Sequence, residues 1–275
     1  NSKLARMNLA VHGLEGKIRI GNTFYEDHHQ LVGACDYVMA NPPFNVDGVS
    51  VSKIKSQVGE NQTGRLPMGL PGVATKSKGK NNGDGETISN ANSLWIQYFY
   101  SYLNDTGRAG FVMASSASDA GNKDKEIRQK LVETGHVDVM ISIGPKFFYT
   151  RSLPCALWFF DKGKPEDLLD TVLMVDARNV YTVVSARSHV FTDEQLANLT
   201  SITWLYRGEH EKFVALLASH QGQLARHLSQ LEARLADDGR HISKLAQVLT
   251  DFAKTTADPV ALAAVREKLG DEHGI

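Results

Sequence analysis

The chain of 275 residues has two cysteines, almost no net charge and no long apolar run. Each shortage excludes something. Cys35 and Cys155 are too few for a disulfide framework or a zinc cluster, and both lie in apolar stretches. They read as small buried hydrophobes in a reducing compartment, so a cytoplasmic protein is expected. No stretch reaches the roughly 18–20 apolar residues of a membrane span. The opening Asn1-Ser2-Lys3 has no signal-peptide pattern. No metal and no membrane contact is expected. A formal net charge of -1 excludes a molecule that binds polyanions with its whole surface. Any phosphate contact must use a local basic patch or a partner subunit.

What is present is a core: 42% of the residues are hydrophobic. This length fits one large domain or one domain with an appendage. The patterning predicts a helix over residues 2–12 and a short strand from Lys17 to Ile20, closed by Gly21. Cys35 to Ala40 reads as a strand buried on both faces. Residues 45–90 read as a long irregular stretch, rich in Gly, Ser, Asn and Lys. Helical spacing resumes at Asn92, with Leu94, Trp95, Tyr98, Phe99, Tyr102 and Leu103, and Asp105-Thr106-Gly107 is expected to end that helix. Ala109 to Ala114 is a strand. Asn122 caps a further helix whose Ile127 and Leu131 face inward. Val137 to Ile143, Cys155 to Phe160 and Val172 to Val175 are strands. Strands alternating with helices indicate an α/β layered sheet, in which functional loops follow the carboxyl ends of strands.

From about residue 207 the pattern is helical, with Phe213, Leu217, Leu224, Leu228, Leu231 and Leu235 on one seam, interrupted at His220 or Gln221. Asp237-Asp238-Gly239 is expected to break this helix before a second one carrying Ile242, Leu245, Leu249 and Phe252; Pro259 precedes Leu262, Val265 and Leu269. Two readings stand: a helical hairpin packed on itself or on the sheet, or a docking arm for another subunit.

The strand Asp36-Tyr37-Val38-Met39-Ala40 runs straight into Asn41-Pro42-Pro43-Phe44. These residue types suit attack by an exocyclic amine. Such an amine is a poor nucleophile, because its lone pair is delocalised into the ring. Two acceptors on its hydrogens localise that lone pair; the Asn41 side-chain oxygen and the Pro42 carbonyl can serve. The prolines stiffen the turn and hold the acceptors in place before substrate arrives. Phe44 offers a face for a planar base, which must leave the duplex to reach it. Asn-Pro is also a common turn former; placement directly after a strand separates the two readings.

This turn resembles motif IV of the amino-methyltransferases. The wider chain, over roughly residues 1–207, is similar to the modification (M) subunit of type I restriction-modification systems. The supporting pieces include Leu4-Ala5-Arg6-Met7-Asn8-Leu9, Gly21-Asn22-Thr23-Phe24, Asn92-Ser93-Leu94-Trp95, Thr106-Gly107-Arg108-Ala109-Gly110, Ile127-Arg128-Gln129-Lys130-Leu131, Phe147-Phe148-Tyr149-Thr150 and Val175-Asp176-Ala177-Arg178. The resemblance implies an α/β, Rossmann-like S-adenosylmethionine-dependent methyltransferase sheet over residues 1–206, with a helical tail over 207–275. It implies methyl transfer from S-adenosyl-L-methionine to adenine N6 of DNA. Asn41, Pro42 and Phe44 take the catalytic positions.

Asn22 and Thr23 stand where the family's third-strand loop contacts the cofactor's adenine, often through an acidic residue. Here that place is an Asn, which is equally a tight-turn residue. Phe148 matches the ring that stacks on the flipped base opposite Phe44, or is a core aromatic. The implied partners are DNA, a specificity subunit, a second modification subunit and a restriction subunit. Residues 45–90 carry six basic side chains (Lys53, Lys55, Arg65, Lys76, Lys78 and Lys80) against four acidic ones, a local charge of +2. They read either as a loop that closes over DNA or as a disordered segment.

The family's Gly-rich turn for the methionine part of the cofactor, and its ribose-binding acid, are not found: Gly13 to Gly21 lacks the spacing, and Gly83-Asp84-Gly85 follows no buried strand. Under the resemblance the chain starts in the helix after the second strand. The natural protein is then expected to extend upstream of Asn1, and the 275 residues alone are expected to be inactive. Two rivals remain. One is an N-methyltransferase acting on a protein glutamine or on RNA, where the same acceptor pair would serve. The other is a catalytically inactive module that binds a partner.

Overall fold

The computed structural model describes residues 1–58, 64–75, 85–148, 152–255 and 263. They form two units, Asn1–Arg207 and Gly208–Ile275. The first contains helix α1 (Ser2–Val11), strand β1 (Cys35–Ala40), strand β2 (Val49–Ser50), helix α2 (Val51–Ile54), strand β3 (Val73–Thr75) and strand β4 (Glu86–Ile88). Helix α3 (Asn92–Tyr102) and strand β5 (Leu103–Ala114) follow, then helices α4 (Ser116–Asp119) and α5 (Asn122–Glu133). Strands β6 (Val137–Ile143), β7 (Cys155–Asp161), β8 (Leu173–Ala177), β9 (Thr182–Ser185) and β10 (Ser188–Val190) lead to helix α6 (Asp193–Tyr206). The second unit is helix α7 (His210–Thr255).

The main sheet has the order β1-β5-β7-β6-β8. β1 runs parallel to β5 and β6 parallel to β8, while β7 is antiparallel to both of its neighbours. Strand residues alternate between faces, and the two faces of this sheet differ. One carries Ala109, Phe111, Met113, Trp158 and Phe160, all buried against α3. Every residue of α3 is buried, so this helix is the centre of the core rather than a half-exposed cover. Phe99 packs on Phe111 with ring centroids 5.0 Å apart. The other face presents Tyr37, Met39, Gly110, Leu157 and Phe159 around a concavity of about 800 Å³. β1 is thus an edge strand with Tyr37 79% and Met39 92% exposed, not the doubly buried strand its apolar run suggests.

Other expectations are also corrected. Lys17 to Ile20 is not a strand; no ladder partner pairs with it among the described residues, and Ile20 is 80% exposed. Asp105-Thr106-Gly107 does not end the helix, because α3 passes at Leu103 directly into β5. Asn122 lies inside α5, and Gly121 occupies its N-cap without a side-chain bond. Ile127 and Leu131 of α5 are buried as the pattern requires.

Residues 45–90 are only partly irregular where described. They form a three-stranded antiparallel sheet, β2-β4-β3, preceding α3. Glu60, Lys76, Lys78, Lys80 and Gly83-Asp84 lie outside the described residues. Arg65 drops out of any phosphate-facing set, being 1% exposed within the core.

In the second unit Asp237-Asp238-Gly239 does not break the helix. A single Gly costs a helix about 1 kcal/mol relative to Ala, and Arg240 pairs with Asp237 across the turn at 3.0 Å. α7 is therefore one continuous helix of 46 residues rather than a hairpin over its described length. Leu217, Leu224, Leu228, Leu231, Leu235, Ile242 and Leu245 are all exposed along it. Pro259, Leu262, Val265 and Leu269 lie outside the described residues.

Candidate active site

The Asn41-Pro42-Pro43-Phe44 turn leaves the carboxyl end of β1. Pro42 is buried and anchors the turn, while Asn41 is exposed at the rim of the 800 Å³ concavity. Among the described residues, neither the Asn41 side chain nor the Pro42 carbonyl has a hydrogen-bond partner. Both acceptors are thus uncommitted among the described residues.

Phe44 is half-buried and meets Phe148 edge-on, with centroids 5.8 Å apart and planes at 73°. The structure therefore brings together these two rings from distant parts of the chain. Phe148 stands at the end of a turn set by Lys146, whose φ is +71°. That turn is tied down by the hairpin of β9 and β10: the His189 backbone N–H donates to the Lys146 carbonyl at 2.9 Å. Phe147 is wedged against Phe191, centroids 4.6 Å apart, and meets the edge of His189 at 6.2 Å. His189 in turn stacks on Tyr181 at 4.0 Å. Both adjacent rings are half-buried against the same core cluster; Phe147 packs on Phe191, and Phe148 meets Phe44. Tyr149 and Thr150 lie outside the described residues.

Asn22 and Thr23 form a second locus. The Asn22 side-chain oxygen accepts from the Phe24 backbone N–H at 3.0 Å, closing an Asx turn. The Thr23 carbonyl accepts from the Arg65 guanidinium at 2.6 Å, and the Phe24 carbonyl accepts from Gln57 and from the Tyr98 hydroxyl, both at 2.9 Å. Gly21 and Thr23 line a concavity of about 160 Å³ with Arg19, Glu26, Asp27 and His28. Asn41 and Thr23 line separate concavities. Ligand pockets usually enclose about 300–1,000 Å³. This concavity is too small to enclose S-adenosyl-L-methionine, and Asn22 does not line it; the Asn22 side-chain oxygen serves the local turn. Among the described residues no group of His, Cys, Asp and Glu could hold a metal ion, and no helix is long and apolar enough to cross a membrane.

Sequence reasoning missed the residues that brace the turn. Asn45, at φ +54°, accepts from Asn90 and Asn92 and donates its backbone N–H to Asn92. A polar residue that tolerates positive φ, directly after the turn, was the available signal.

The Asn41-Pro42-Pro43-Phe44 turn thus ends β1 with two acceptors that have no partner among the described residues, and its ring faces Phe148. The N-6 DNA methylase family profile matches residues 1–221, and the chain belongs to that family. It is 36% identical over 197 residues to the type I restriction enzyme MjaIX methylase subunit of Methanocaldococcus jannaschii, a match covering 72% of this chain and 32% of the relative. It is 26% identical over 206 residues to the EcoKI methylase subunit of Escherichia coli, covering 70% and 33%. The fold is similar to that of a type I restriction-modification system methyltransferase subunit from Streptococcus thermophilus, with a TM-score of 0.57 at 21% identity, covering 74% of this chain and 39% of that one. The chain spans about a third of the length of the curated relatives it matches.

Proposed function

We propose that the chain supplies the base-facing part of a DNA adenine-N6 methyltransferase of the type I restriction-modification class. The observation that carries this is the exposed Asn41 amide and the Pro42 carbonyl, unpartnered among the described residues, beside the Phe44–Phe148 pair. An adenine extruded from the duplex stacks against these rings. Its N6 hydrogens are bonded by Asn41 Oδ1 and the Pro42 oxygen. That localises the nitrogen lone pair and aligns it for in-line attack. S-adenosyl-L-methionine supplies the electrophilic methyl group. As the N6–carbon bond formed and the methyl–sulfur bond broke, leaving S-adenosylhomocysteine, positive charge would grow on N6, and both acceptors would stabilise it more strongly than they do the ground state. One N6 proton would then pass to solvent, since neither amide oxygen is basic enough to keep it.

Asn22 and Thr23 contact the adenine end of the cofactor in this proposal. Its methionine end is gripped by sequence other than these 275 residues, which accordingly do not turn over alone. The exposed leucine stripe of α7 is assigned to contact with another subunit, and base sequence is read by a specificity subunit.

The test is Asn41→Ala in the protein as it occurs in its cell, with its partner subunits. Labelled S-adenosylmethionine and adenine-containing duplex DNA are the substrates. Losing one preorganised partner of the reacting amine should lower transfer about 10²–10³-fold, with assembly and thermal unfolding unchanged. An unaltered rate overturns the proposal. Label found on RNA or on a protein glutamine instead of DNA supports the rival N-methyltransferase reading, and no transfer by the parent supports the inactive module.

A further inference from the structure

The turn that presents Asn41 and Phe44 is short, exposed at two of its four positions, and followed at once by a residue in left-handed backbone conformation. Prolines restrict its own dihedrals, but something must fix it relative to the rest of the molecule. Three asparagines meet at this point. The Asn45 backbone N–H donates to Asn92 Oδ1 at 2.9 Å. Asn92 Nδ2 donates back to Asn45 Oδ1 at 2.9 Å, closing a two-bond ring. Asn90 Nδ2 donates to the same Asn45 oxygen at 3.0 Å, and the Asn92 backbone N–H donates to Asn90 Oδ1 at 2.9 Å. Asn92 is 4% exposed and is the first residue of α3, the fully buried helix. One residue further on, the Val46 carbonyl accepts from the Ala91 N–H at 2.8 Å.

The orientation of all three amides follows from backbone donors alone. A backbone N–H can only donate. Asn45 N–H therefore requires the oxygen of Asn92 to face it, which leaves the Asn92 NH₂ to face the Asn45 side chain. That side chain must then present its oxygen. Asn92 N–H likewise fixes the oxygen of Asn90, so the Asn90 NH₂ also faces Asn45. The Asn45 side chain acts purely as an acceptor, whereas Asn92 must accept and donate at once.

We infer that Asn45 and Asn92 are positioning residues for the reaction proposed above: their reciprocal amide clasp locks the Asn41–Phe44 turn to the start of α3. Neither touches substrate. The clasp also explains why position 45 holds Asn at φ +54°: the side chain tolerates left-handed backbone and satisfies the buried NH₂ of Asn92.

The roles make an asymmetric forecast. Asn45→Asp keeps the acceptor and tolerates positive φ, so transfer stays near the parent rate. Asn92→Asp is equally isosteric, but it turns a donor into an acceptor facing Asn45 Oδ1. Misplacement of the turn by about an ångström should then lower kcat on the order of 10²-fold. KM for DNA should change little, because neither asparagine touches substrate in this proposal. A merely structural role for Asn92 would lower thermal stability without this split between kcat and KM.

A second measurement reads the clasp without catalysis. Hydrogen exchange of the segment containing the Asn45 amide should speed up in Asn92→Ala and not in Asn45→Asp. If Asn92→Asp transfers methyl at the parent rate, or Asn92→Ala leaves that exchange unchanged, the clasp is overturned. If Asn41→Ala is harmless, the reaction fails instead, and the exchange measurement still decides the clasp.

Discussion

Replacing Arg65 with Met should destabilise the first unit by about 2–3 kcal/mol. The reason is what Arg65 holds. The side chain is 1% exposed, and among the described residues no carboxylate pairs with it. Its guanidinium donates to the Thr23 carbonyl and the Tyr102 hydroxyl, each at 2.6 Å, and to Gln57 Oε1 at 3.3 Å. It also lies 4.1 Å from the centre of the Tyr98 ring. Hydrogen bonds to a charged group contribute about 1.5–3 kcal/mol each, and a desolvated cation–π contact about 2 kcal/mol. Against these stands the desolvation of a guanidinium, several kcal/mol. Met fills similar volume and removes that cost, so the gross sum is largely offset. The acceptors left behind set the net loss, at about 1–3 kcal/mol for each buried one that finds no new donor. Urea unfolding measures this as a lower midpoint at unchanged slope. Arg65→Lys keeps the charge without the planar fork and should fall between the two. A midpoint for Arg65→Met at or above the parent's would refute the reasoning, because the bonds would then no more than balance the burial of the charge. Arg65 also grips the Asn22-Thr23 turn, so the same variant should raise KM for S-adenosylmethionine in the complete enzyme.

Two further outcomes are expected. Burial, reinforced by the nearby Lys162 and Lys164 cations, holds the His136 imidazole below its ordinary pKa despite Asp161. The unfolded chain therefore binds that proton first as pH falls, so this contribution is complete above about pH 6.5 and is lost towards lower pH; His136→Gln should flatten the fall in urea midpoint between about pH 7 and 5. In Gly107→Ala, the new methyl would meet the Cys35 carbonyl oxygen at 2.6 Å, a backbone clash where β1 and β5 shift register. A loss of about 1–3 kcal/mol is expected, and parent-like thermal unfolding would show that β1 is free to move away.

Much of the sheet was legible because its strands are apolar runs of the right length: Val137 to Ile143 and Cys155 to Phe160 lie where the pattern puts them. What the pattern cannot show is which face has a neighbour. β1 has the composition of a doubly buried strand, yet Tyr37 and Met39 are exposed, since burial depends on what packs across the sheet. The region from 45 to 90 looked irregular because its strands are only two or three residues long, too short for periodicity. α6 was legible and overlooked: Thr192 and Gln195 form a full capping box at its start. The acceptor turn could be read from four adjacent letters. Its brace could not, because Asn45 and Asn92 are separated in sequence and join only through folded geometry.

The aromatic pair permits one more step. A base held between two parallel rings needs a van der Waals spacing of about 3.5 Å on each side, so the rings must stand about 7 Å apart. Phe44 and Phe148 are 5.8 Å apart at 73°, in contact with each other. Under the proposed role of these rings, base entry requires one of them to swing. Phe44 sits next to the Asn45 clasp, and the Phe148 backbone is held by Phe147 against Phe191, so the motion falls to side-chain rotation rather than to loop opening. Phe148→Ala removes both the gate and the second stacking face. Losing one base–aromatic stack costs about 1–3 kcal/mol, a reduction in kcat/KM of roughly 5- to 150-fold, beyond whatever stability is lost with its packing on the core. Phe147→Ala should instead lower the unfolding midpoint, because it vacates a core position. If the two variants exchange these effects, Phe147 is the ring that meets the base and the face-to-face assignment of Phe44 with Phe148 is wrong.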